Sequence, residues 1–453
     1  MQGARMNVAT MSPEPQIQAK TITTVPIEFH VMREPAQWNL GTRIGFRFVF
    51  AYLVLYGFPS PLDILPWESL FTKYNALWTA IVTWVGEHLL GMNITILTNG
   101  RGDTTYNYVQ ILCMLAMAAT ATVIWSLLDR KRSNYENLHQ WLRLYIRIVL
   151  GMTLIDYGAD KVIQSQMPAP TLATLMETYG QSSPMHLLWT FMGASRGYNA
   201  FAGGAEMLGG ILLFIPACTA IGALISIGVM SNVFMLNMCY DVPVKLFSFH
   251  LLLMAVFLMT PDLRRLAELF LFHRRVELYS GPALFRRKSV SRTVLAAQLL
   301  LGLWLSILCL YGAQSENKTF DANIGPPLYG AWSVAEYAVD GKVVPSSPTA
   351  EDQWQRMFFQ NSSRLAVETT SGARMRFFLK LDEKQHTLKL INFNDSNWKA
   401  DFSYQSPQPN VVTLTGQMNG HRVDMRLRQL DTPKSFLLTS RGFHWISEHP
   451  FNQ

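Results

Sequence analysis

The stretch NAFAGGAEMLGGILLF, residues 199–214, carries a single ionisable side chain, Glu206, among residues that are mostly small or apolar. Pairs of glycine at 203–204 and 209–210 lie on either side of the carboxylate. The apolar composition of this stretch predicts a membrane-spanning helix. A charged side chain in such a helix is costly and usually faces the interior of a helix bundle, where it has a partner. Glu206 therefore predicts a polar site inside a membrane domain.

The composition is typical of a polytopic membrane protein. Of 453 residues, 49% are hydrophobic and only 15% are charged, and several apolar blocks approach the roughly 20 residues that cross a bilayer. We expect an α-helical bundle of about seven spans, at 43–58, 106–128, 142–163, 199–217, 219–240, 244–260 and 293–311. The apolar stretches 76–91 and 185–193 are short, which favours interfacial or re-entrant helices there.

Basic residues indicate the orientation of these spans. Arg130, Lys131 and Arg132 follow the second span, and a second basic group runs from Arg264 to Arg292. Because basic loops stay in the cytoplasm, seven spans place the polar tail at 1–42 inside and the C-terminus outside. We expect a multi-pass protein of a bacterial inner membrane with a periplasmic C-terminal domain. The net charge of +7 then reflects topology, so the expected partner is a lipid bilayer and not a nucleic acid.

The chain changes character after the membrane domain, which we assign to residues 43–311. A polar linker is expected at 312–326, and short runs of alternating polarity fill 327–453. The runs AWSVAEYAV, RLAVETT, ARMRFFLKL, HTLKLINF, ADFSYQ, VVTLTGQ, HRVDMRLRQ and SFLLTS predict an antiparallel β-barrel or sandwich. Gly330 and Trp332 form a Gly-x-Trp pair that resembles the first strand of lipocalin-type barrels, and this resemblance implies that Arg441 closes over Trp332.

The predicted topology collects ionisable side chains from four spans in the outer half of the membrane. They are Asp156, Asp160, Lys161, Glu206, Asp241, Lys245 and His250. In the third span, Arg147, Gly151, Gly158 and Lys161 share one helical stripe, with Arg147 toward the inner side. Charges at span ends, glycines for helix packing and a hydrogen-bonded core histidine are the simpler explanations of individual members.

From this layer we predict that Glu206, Asp156 and Lys161 carry the chemistry. The two carboxylates can accept or pass protons, and the ammonium can balance their charge. The residues expected to contact a ligand are Asp160, Gly203, Gly210, Asn237, Asp241, Lys245, His250 and Arg147. The sequence contains no metal, flavin or haem motif, and no metal site is predicted.

Residues 142–262 resemble the DoxX-like family of small four-helix membrane proteins. The resemblance lies in the helix with Arg147, Gly151, Gly158 and Lys161, in the Gly-x-x-Glu-x-x-Gly-Gly pattern around Glu206 and in a closing helical pair. Members of that family are linked to a terminal quinol oxidase, to thiosulfate:quinone oxidoreductase and to thiol stress. The resemblance therefore implies a redox setting, with quinone as the cofactor and redox proteins as partners.

Three functions fit these features. The first is a subunit of a quinone- or thiol-linked membrane oxidoreductase that binds an amphiphilic small molecule in a polar pocket of the outer leaflet. The second is a transporter or lipid-handling protein, which discontinuous helices at 76–91 and 185–193 would favour. The third is a membrane scaffold that recruits a partner through the β domain, while the charges only hold the bundle together.

Overall fold

The computed structural model describes residues 37–61, 68–96, 102–276, 287–320, 328–344, 353–361, 363–395, 397–431 and 436–449. An α-helical part precedes a closed antiparallel β-barrel, which confirms the predicted fold class at that level. Most of the predicted tail at 1–42 lies outside the described residues, and the first helix begins at Leu40.

The helical part contains α1 (Leu40–Gly57), α2 (Glu68–His88), α3 (Thr105–Leu128), α4 (Glu136–Val162), α5 (Leu172–Leu175), α6 (Pro184–Ala194), α7 (Arg196–Phe214), α8 (Thr219–Cys239), α9 (Lys245–Phe270) and α10 (Lys288–Phe320). Each predicted span coincides with one of these helices. The helix α2 begins well before the predicted stretch at 76–91, and α10 continues into the first part of the predicted linker at 312–326.

Within the described ranges, four helical segments are long and apolar enough to cross a membrane: α3, Pro216–Cys239, α9 and Lys288–Ser315 of α10. The other three helices predicted as spans pack among them. The helix α1 packs on α3 and α4, while α4 packs on α7, α9 and α10. A helical membrane part is therefore established by length and composition, and the count of seven spans stays a prediction.

Glycines bring α4 and α7 into close contact. Gly158 faces Gly203, and Gly151 faces Gly210. A Cβ added to Gly203 would lie 2.5 Å from the carbonyl oxygen of Gly158, and one added to Gly210 would lie 2.7 Å from that of Gly151. Small residues permit this backbone approach, as they do between many membrane helices.

A buried arginine joins α1 to the loop between α3 and α4. Arg47 is 2% exposed, and its guanidinium donates hydrogen bonds to the hydroxyl of Tyr135, to Ser126 Oγ and to the carbonyl oxygen of Asp129. The Tyr135 hydroxyl in turn donates to the Asp129 carboxylate, 3.0 Å away. This network satisfies the charge inside the bundle and fixes α1 at the end of the molecule that carries the basic loops.

The β domain contains β1 (Gly330–Val339), β2 (Lys342–Val343), β3 (Trp354–Asn361), β4 (Arg364–Thr369), β5 (Arg374–Asp382), β6 (Thr387–Asn392), β7 (Lys399–Gln408), β8 (Val411–Met418), β9 (His421–Gln429) and the short helix α11 (Leu437–Ser440). From β3 to β9 each strand pairs antiparallel with the next one along the chain. Pairing of β1 with both β3 and β9 closes an eight-stranded up-and-down barrel, and β2 is only a hairpin partner of β1.

The interior of the barrel is filled by side chains. Trp332 is fully buried and donates its indole N–H to the carbonyl oxygen of Leu328, 2.8 Å away. Trp354, Phe377 and Trp398 contact one another within a single contiguous apolar core. Arg441, which the lipocalin resemblance placed over Trp332, is exposed at the C-terminal end of α11.

Apart from the two-residue β2, which was not predicted, two strand assignments differ from the sequence-based prediction. The segment WQRMFFQN forms β3, which was not predicted because apolar residues are adjacent there and do not alternate. Met357 and Phe359 point into the barrel core, while Phe358 contacts the helical part, so both faces of β3 are covered. The predicted strand SFLLTS is instead the region of α11, because pairing of β9 with β1 leaves no free edge for another strand.

The barrel contacts the segment between α4 and α6. Leu172 and Ala173 of α5 share an apolar cluster with Ala331 of β1 and Phe358 of β3. The carboxylate of Glu177 pairs with Arg374 of β5 and lies 3.1 Å from His186 of α6. The barrel and the α4–α6 segment therefore lie at the same end of the helical part.

Candidate functional site

A cavity of about 340 Å³ lies between α4, α6, α7, α8 and α9. Its lining is mostly apolar and includes aromatic side chains from four of these helices: Tyr157, Trp189, Tyr198, Phe201 and Phe247. This volume falls within the range of about 300–1,000 Å³ that is typical of small-molecule sites. The cavity combines such a lining with a small number of polar groups, which is the usual composition of a ligand pocket.

The charged residues at the cavity are Lys161 and Glu206. Lys161 ends α4 and Glu206 lies in the middle of α7, and the ammonium donates a hydrogen bond to Glu206 Oε2 at 2.8 Å. Both residues are buried, with exposures of 6% and 3%. The close packing of α4 on α7 brings the two residues together, because a Cβ added to Gly203 would lie only 2.7 Å from Cβ of Lys161. The pair can donate from nitrogen and accept at a carboxylate within one polar spot.

Uncharged polar groups on α8 and α9 form a second polar spot. The amide nitrogen of Asn237 donates to Ser248 Oγ at 3.0 Å, and both residues line the cavity and are buried. Asn232 lies on the same side of α8 but is exposed. These groups can orient a polar ligand without introducing further charge.

The two predicted ligand-binding glycines lie against protein and are not part of the cavity lining. Gly203 and Gly210 pack on the backbone of α4, so the space beside them is filled by a neighbouring helix. Arg147 is also remote from the cavity. Its guanidinium donates to the carbonyl oxygen of Leu213 at the end of α7 and to Gln298 Oε1 of α10. These three residues hold helices together in the structure.

Asp156 and Asp160 of α4 do not line the cavity. Asp156 is exposed and lies within hydrogen-bonding reach of the Cys309 thiol of α10. Asp160 accepts a hydrogen bond from Ser165 Oγ at 2.7 Å, just beyond the end of α4. Glu206 therefore lines the cavity and Asp156 does not, although the sequence placed both carboxylates in one catalytic group.

Asp241 and Lys245 pair with each other at the turn between α8 and α9, 2.9 Å apart. Asp103, from the segment before α3, lies 3.8 Å from the Lys245 ammonium. Its carboxylate accepts hydrogen bonds from the backbone N–H groups of Lys245 and Leu246. Asp103 thus caps the N-terminus of α9, and this charged group stabilises a helix end outside the cavity.

His250 faces α1 on the opposite side of α9. Its Nε2 lies 2.5 Å from the hydroxyl of Tyr52, its Nδ1 lies 2.6 Å from the carbonyl oxygen of Leu246, and its ring stacks on Tyr56 at 4.0 Å. The carbonyl can only accept, so Nδ1 carries a proton, and a neutral ring accepts from Tyr52 through Nε2. His250 therefore has the surroundings of a satisfied core histidine.

Comparison with known proteins identifies one relative and no activity. No protein-family model matches the chain, and no solved structure matches it. A stretch of 124 residues is 32% identical to the uncharacterized protein YwoB of Bacillus subtilis strain 168, covering 27% of this chain and 79% of YwoB. The chain belongs to the YwoB family. The name of YwoB states no substrate, so the relationship leaves the chemistry of the cavity to be argued from its residues.

Several cavity residues of this YwoB-family chain carry no distinctive sequence signal. Tyr157 lies next to the predicted Asp156, but its helical position places it on the cavity side of α4. Trp189 of α6 lies in the segment predicted as an interfacial helix, where tryptophan is common and uninformative. Ser248 is small and lies within an apolar block, and only its bond to Asn237 distinguishes it. The sequence signal that leads to the cavity is the intramembrane Glu206.

Proposed function

We propose that all seven predicted helices span the membrane, with the N-terminus in the cytoplasm and the barrel outside. The four long apolar helices support a membrane protein. Contact between the barrel and the α4–α6 segment supports a common side for both. The loop with Arg130, Lys131 and Arg132 follows α3, and the positive-inside rule assigns it to the cytoplasm. The inner membrane of a bacterium is the location that we propose.

We propose that the cavity binds an amphiphilic small molecule, and the buried pair of Lys161 and Glu206 beside a mainly apolar space carries this proposal. Intramembrane charges are retained where they serve a substrate, a proton or a counter-ion. The apolar lining suits a hydrocarbon ring or chain, while the ion pair suits a polar group at one end. A bilayer supplies molecules of this kind at high concentration.

Within that class we propose a quinone or quinol, in a subunit of a quinone-linked oxidoreductase system. The Lys161 ammonium would donate a hydrogen bond to a quinone oxygen, and the Glu206 carboxylate would accept one from a quinol hydroxyl. When bound, a quinone supplies redox chemistry that no side chain of the pair possesses. Glu206 would hold the proton, and Lys161 would balance the charge. The DoxX-like pattern around Glu206 supports this choice.

The test is chemical analysis of what the full-length protein retains after purification in a mild detergent. We expect quinone to be extracted from the wild-type protein and to be lost from Glu206→Gln. The double variant Lys161→Gln/Glu206→Gln replaces the ion pair by an amide pair, and it keeps the test valid if the single variant fails to fold. Glu268→Gln is the matched control, because Glu268 is only partly buried and pairs with the exposed Arg264. Absence of bound quinone, with no binding of a short-chain ubiquinone analogue, would overturn the proposal.

A lipid-handling protein is the second candidate. The helices α6 and α7 are separated only by Ser195, and both line the cavity, so the chain is interrupted where a ligand would lie. Interrupted helices are frequent at transport sites. The same extraction distinguishes the two functions, because an acyl lipid in place of quinone would favour this candidate. Side chains fill the interior of the barrel. This favours a barrel that acts through its contact with the helical part over a barrel that carries a lipid inside it.

A further inference from the structure

The cavity reaches the side of the bundle between α7 and α8. Gly228 of α8 lines it and is exposed, and a Cβ added there would meet no atom within 4 Å. Phe201 of α7 also lines it and is 72% exposed, so its ring stands at the edge. Ala205, about one turn after Phe201 on α7, also lines the cavity and has a small side chain. We name this side of the cavity, lined by Phe201, Ala205 and Gly228, the lateral opening.

The surface around the lateral opening is apolar. Leu208 on α7, and Ile221 and Leu224 on α8, are large exposed hydrophobic residues on these two helices. The segment Pro216–Cys239 is long and apolar enough to cross a membrane, so its uncovered side faces acyl chains and not water. The lateral opening therefore connects the cavity with the hydrocarbon of the bilayer.

Polarity inside the cavity is graded along α8. Gly228 lies near the middle of the helix, Asn232 follows one turn later, and Asn237 lies near its end. At 1.5 Å per residue, Gly228 and Asn237 are about 14 Å apart along the axis. The side-chain amide of Asn232 makes no hydrogen bond with another described residue, although an unpaired amide facing hydrocarbon is unfavourable. A polar group of a ligand would satisfy it.

We propose that the quinone enters sideways from the outer leaflet through the lateral opening. Its polar head lies between Asn232, Asn237 and the ion pair of Lys161 with Glu206, and its single chain leaves past Gly228 into the bilayer. This orientation matches that of lipids in the outer leaflet, whose heads face outward. The inference rests on the proposed quinone site and topology, and it adds the route of the ligand and the positions of its head and chain.

The experiment uses the full-length protein in vesicles of phosphatidylcholine and phosphatidylglycerol that contain a ubiquinone analogue with a diazirine in its single side chain. After photolysis, mass spectrometry locates the labelled residues. We expect label on Met230 and Leu251, which line the cavity but are buried from the lipid surface. Gly228→Leu adds a large side chain at the lateral opening, where a Cβ meets no atom within 4 Å, so label on these two residues should be lost. Gly204→Leu is the matched control, since it makes the same change on α7 in open space outside the cavity lining.

The exposed residues Ile221 and Leu224 report ordinary contact with the bilayer and should be labelled equally in all three proteins. If wild-type Met230 and Leu251 stay unlabelled while these exposed residues are labelled, the quinone site itself is overturned. If both buried residues are labelled and Gly228→Leu changes nothing, the site stands and the lateral route is wrong. Labelling of the buried pair by a water-soluble diazirine, and not by the ubiquinone analogue, would show access from water and would also overturn the route.

Discussion

Lys161 and Glu206 lie 2.8 Å apart and almost without exposure, so each charge depends on the other. Removing one partner of such a pair leaves an unpaired charge and typically costs about 3–5 kcal/mol. We therefore expect Glu206→Gln to lower the thermal unfolding midpoint in detergent. Lys161→Gln/Glu206→Gln should recover much of the loss, because two neutral amides can hydrogen-bond each other. Glu268→Gln, at a partly exposed ion pair, should change little. Equal losses in the single and double variants would contradict this coupling.

Neighbouring glycines of α7 have different surroundings. A Cβ on Gly203 would lie 2.5 Å from the carbonyl oxygen of Gly158, whereas one on Gly204 would meet nothing within 4 Å. Gly203→Ala should therefore push α4 and α7 apart at a cost of about 1–3 kcal/mol. Gly204→Ala should be neutral, or more stable by up to about 1 kcal/mol through helix propensity. Thermal unfolding of both variants in the same detergent checks this, and equal behaviour would argue against the close α4–α7 contact.

The N-terminus of α9 depends on a side chain that is distant in sequence. Asp103 accepts from the N–H groups of Lys245 and Leu246, two donors that the helix itself cannot satisfy. Asp103→Ala should destabilise the protein by about 0.5–2 kcal/mol, the usual value of an N-terminal cap. Asp241→Asn is the comparison, because Asp241 pairs with the same Lys245 but is largely exposed and should contribute less. Denaturant titration measures the free energy of unfolding of both variants. A larger loss in Asp241→Asn than in Asp103→Ala would contradict the capping role of Asp103.

Elements were predictable from sequence where one physical pattern dominated. Apolar blocks located the helices, and alternation located seven of the strands that form the barrel wall. β3 was not predicted because Phe358, which packs on α5, is apolar like its neighbours that face the core. Polar and apolar residues therefore do not alternate along this strand. SFLLTS was misassigned because its pattern resembles a strand, and only closure of the barrel by β1 and β9 excludes it. Such assignments depend on contacts between distant parts of the chain.

At the scale of the whole molecule, the sequence placed several polar residues at a similar level along the helices, but it did not give the direction of each side chain. Glu206, Lys161 and Asn237 line one cavity, as a layer of polar residues suggests. His250 and Asp156 belong to the same layer but face α1 and α10, because a helix presents different faces to different neighbours. Helical periodicity states which residues share a face, whereas the identity of the neighbouring helix follows only from packing.

Orientation in the membrane decides on which side of the bilayer the barrel and the basic loops lie. The barrel contacts α5, and Glu177 of the α4–α6 segment pairs with Arg374 of β5. The two regions must therefore lie on one side of the bilayer, since a contact cannot cross it. The loops after α3 and α9 carry the basic residues and should lie on the other side. Four exposed positions report these regions: Gly180, Lys384, Lys131 and Arg274.

We expect cysteine labelling to separate these four positions into two pairs. Each is changed to cysteine in a chain whose native Cys113, Cys218, Cys239 and Cys309 are replaced by alanine. With a membrane-impermeant maleimide on spheroplasts, the cysteines at 180 and 384 should react at once, because the barrel and its supporting segment face outward. Those at 131 and 274 should react only after permeabilisation. The opposite pattern would invert the orientation and move the lateral opening to the inner leaflet. Labelling of 180 without 384 would contradict the contact between barrel and bundle.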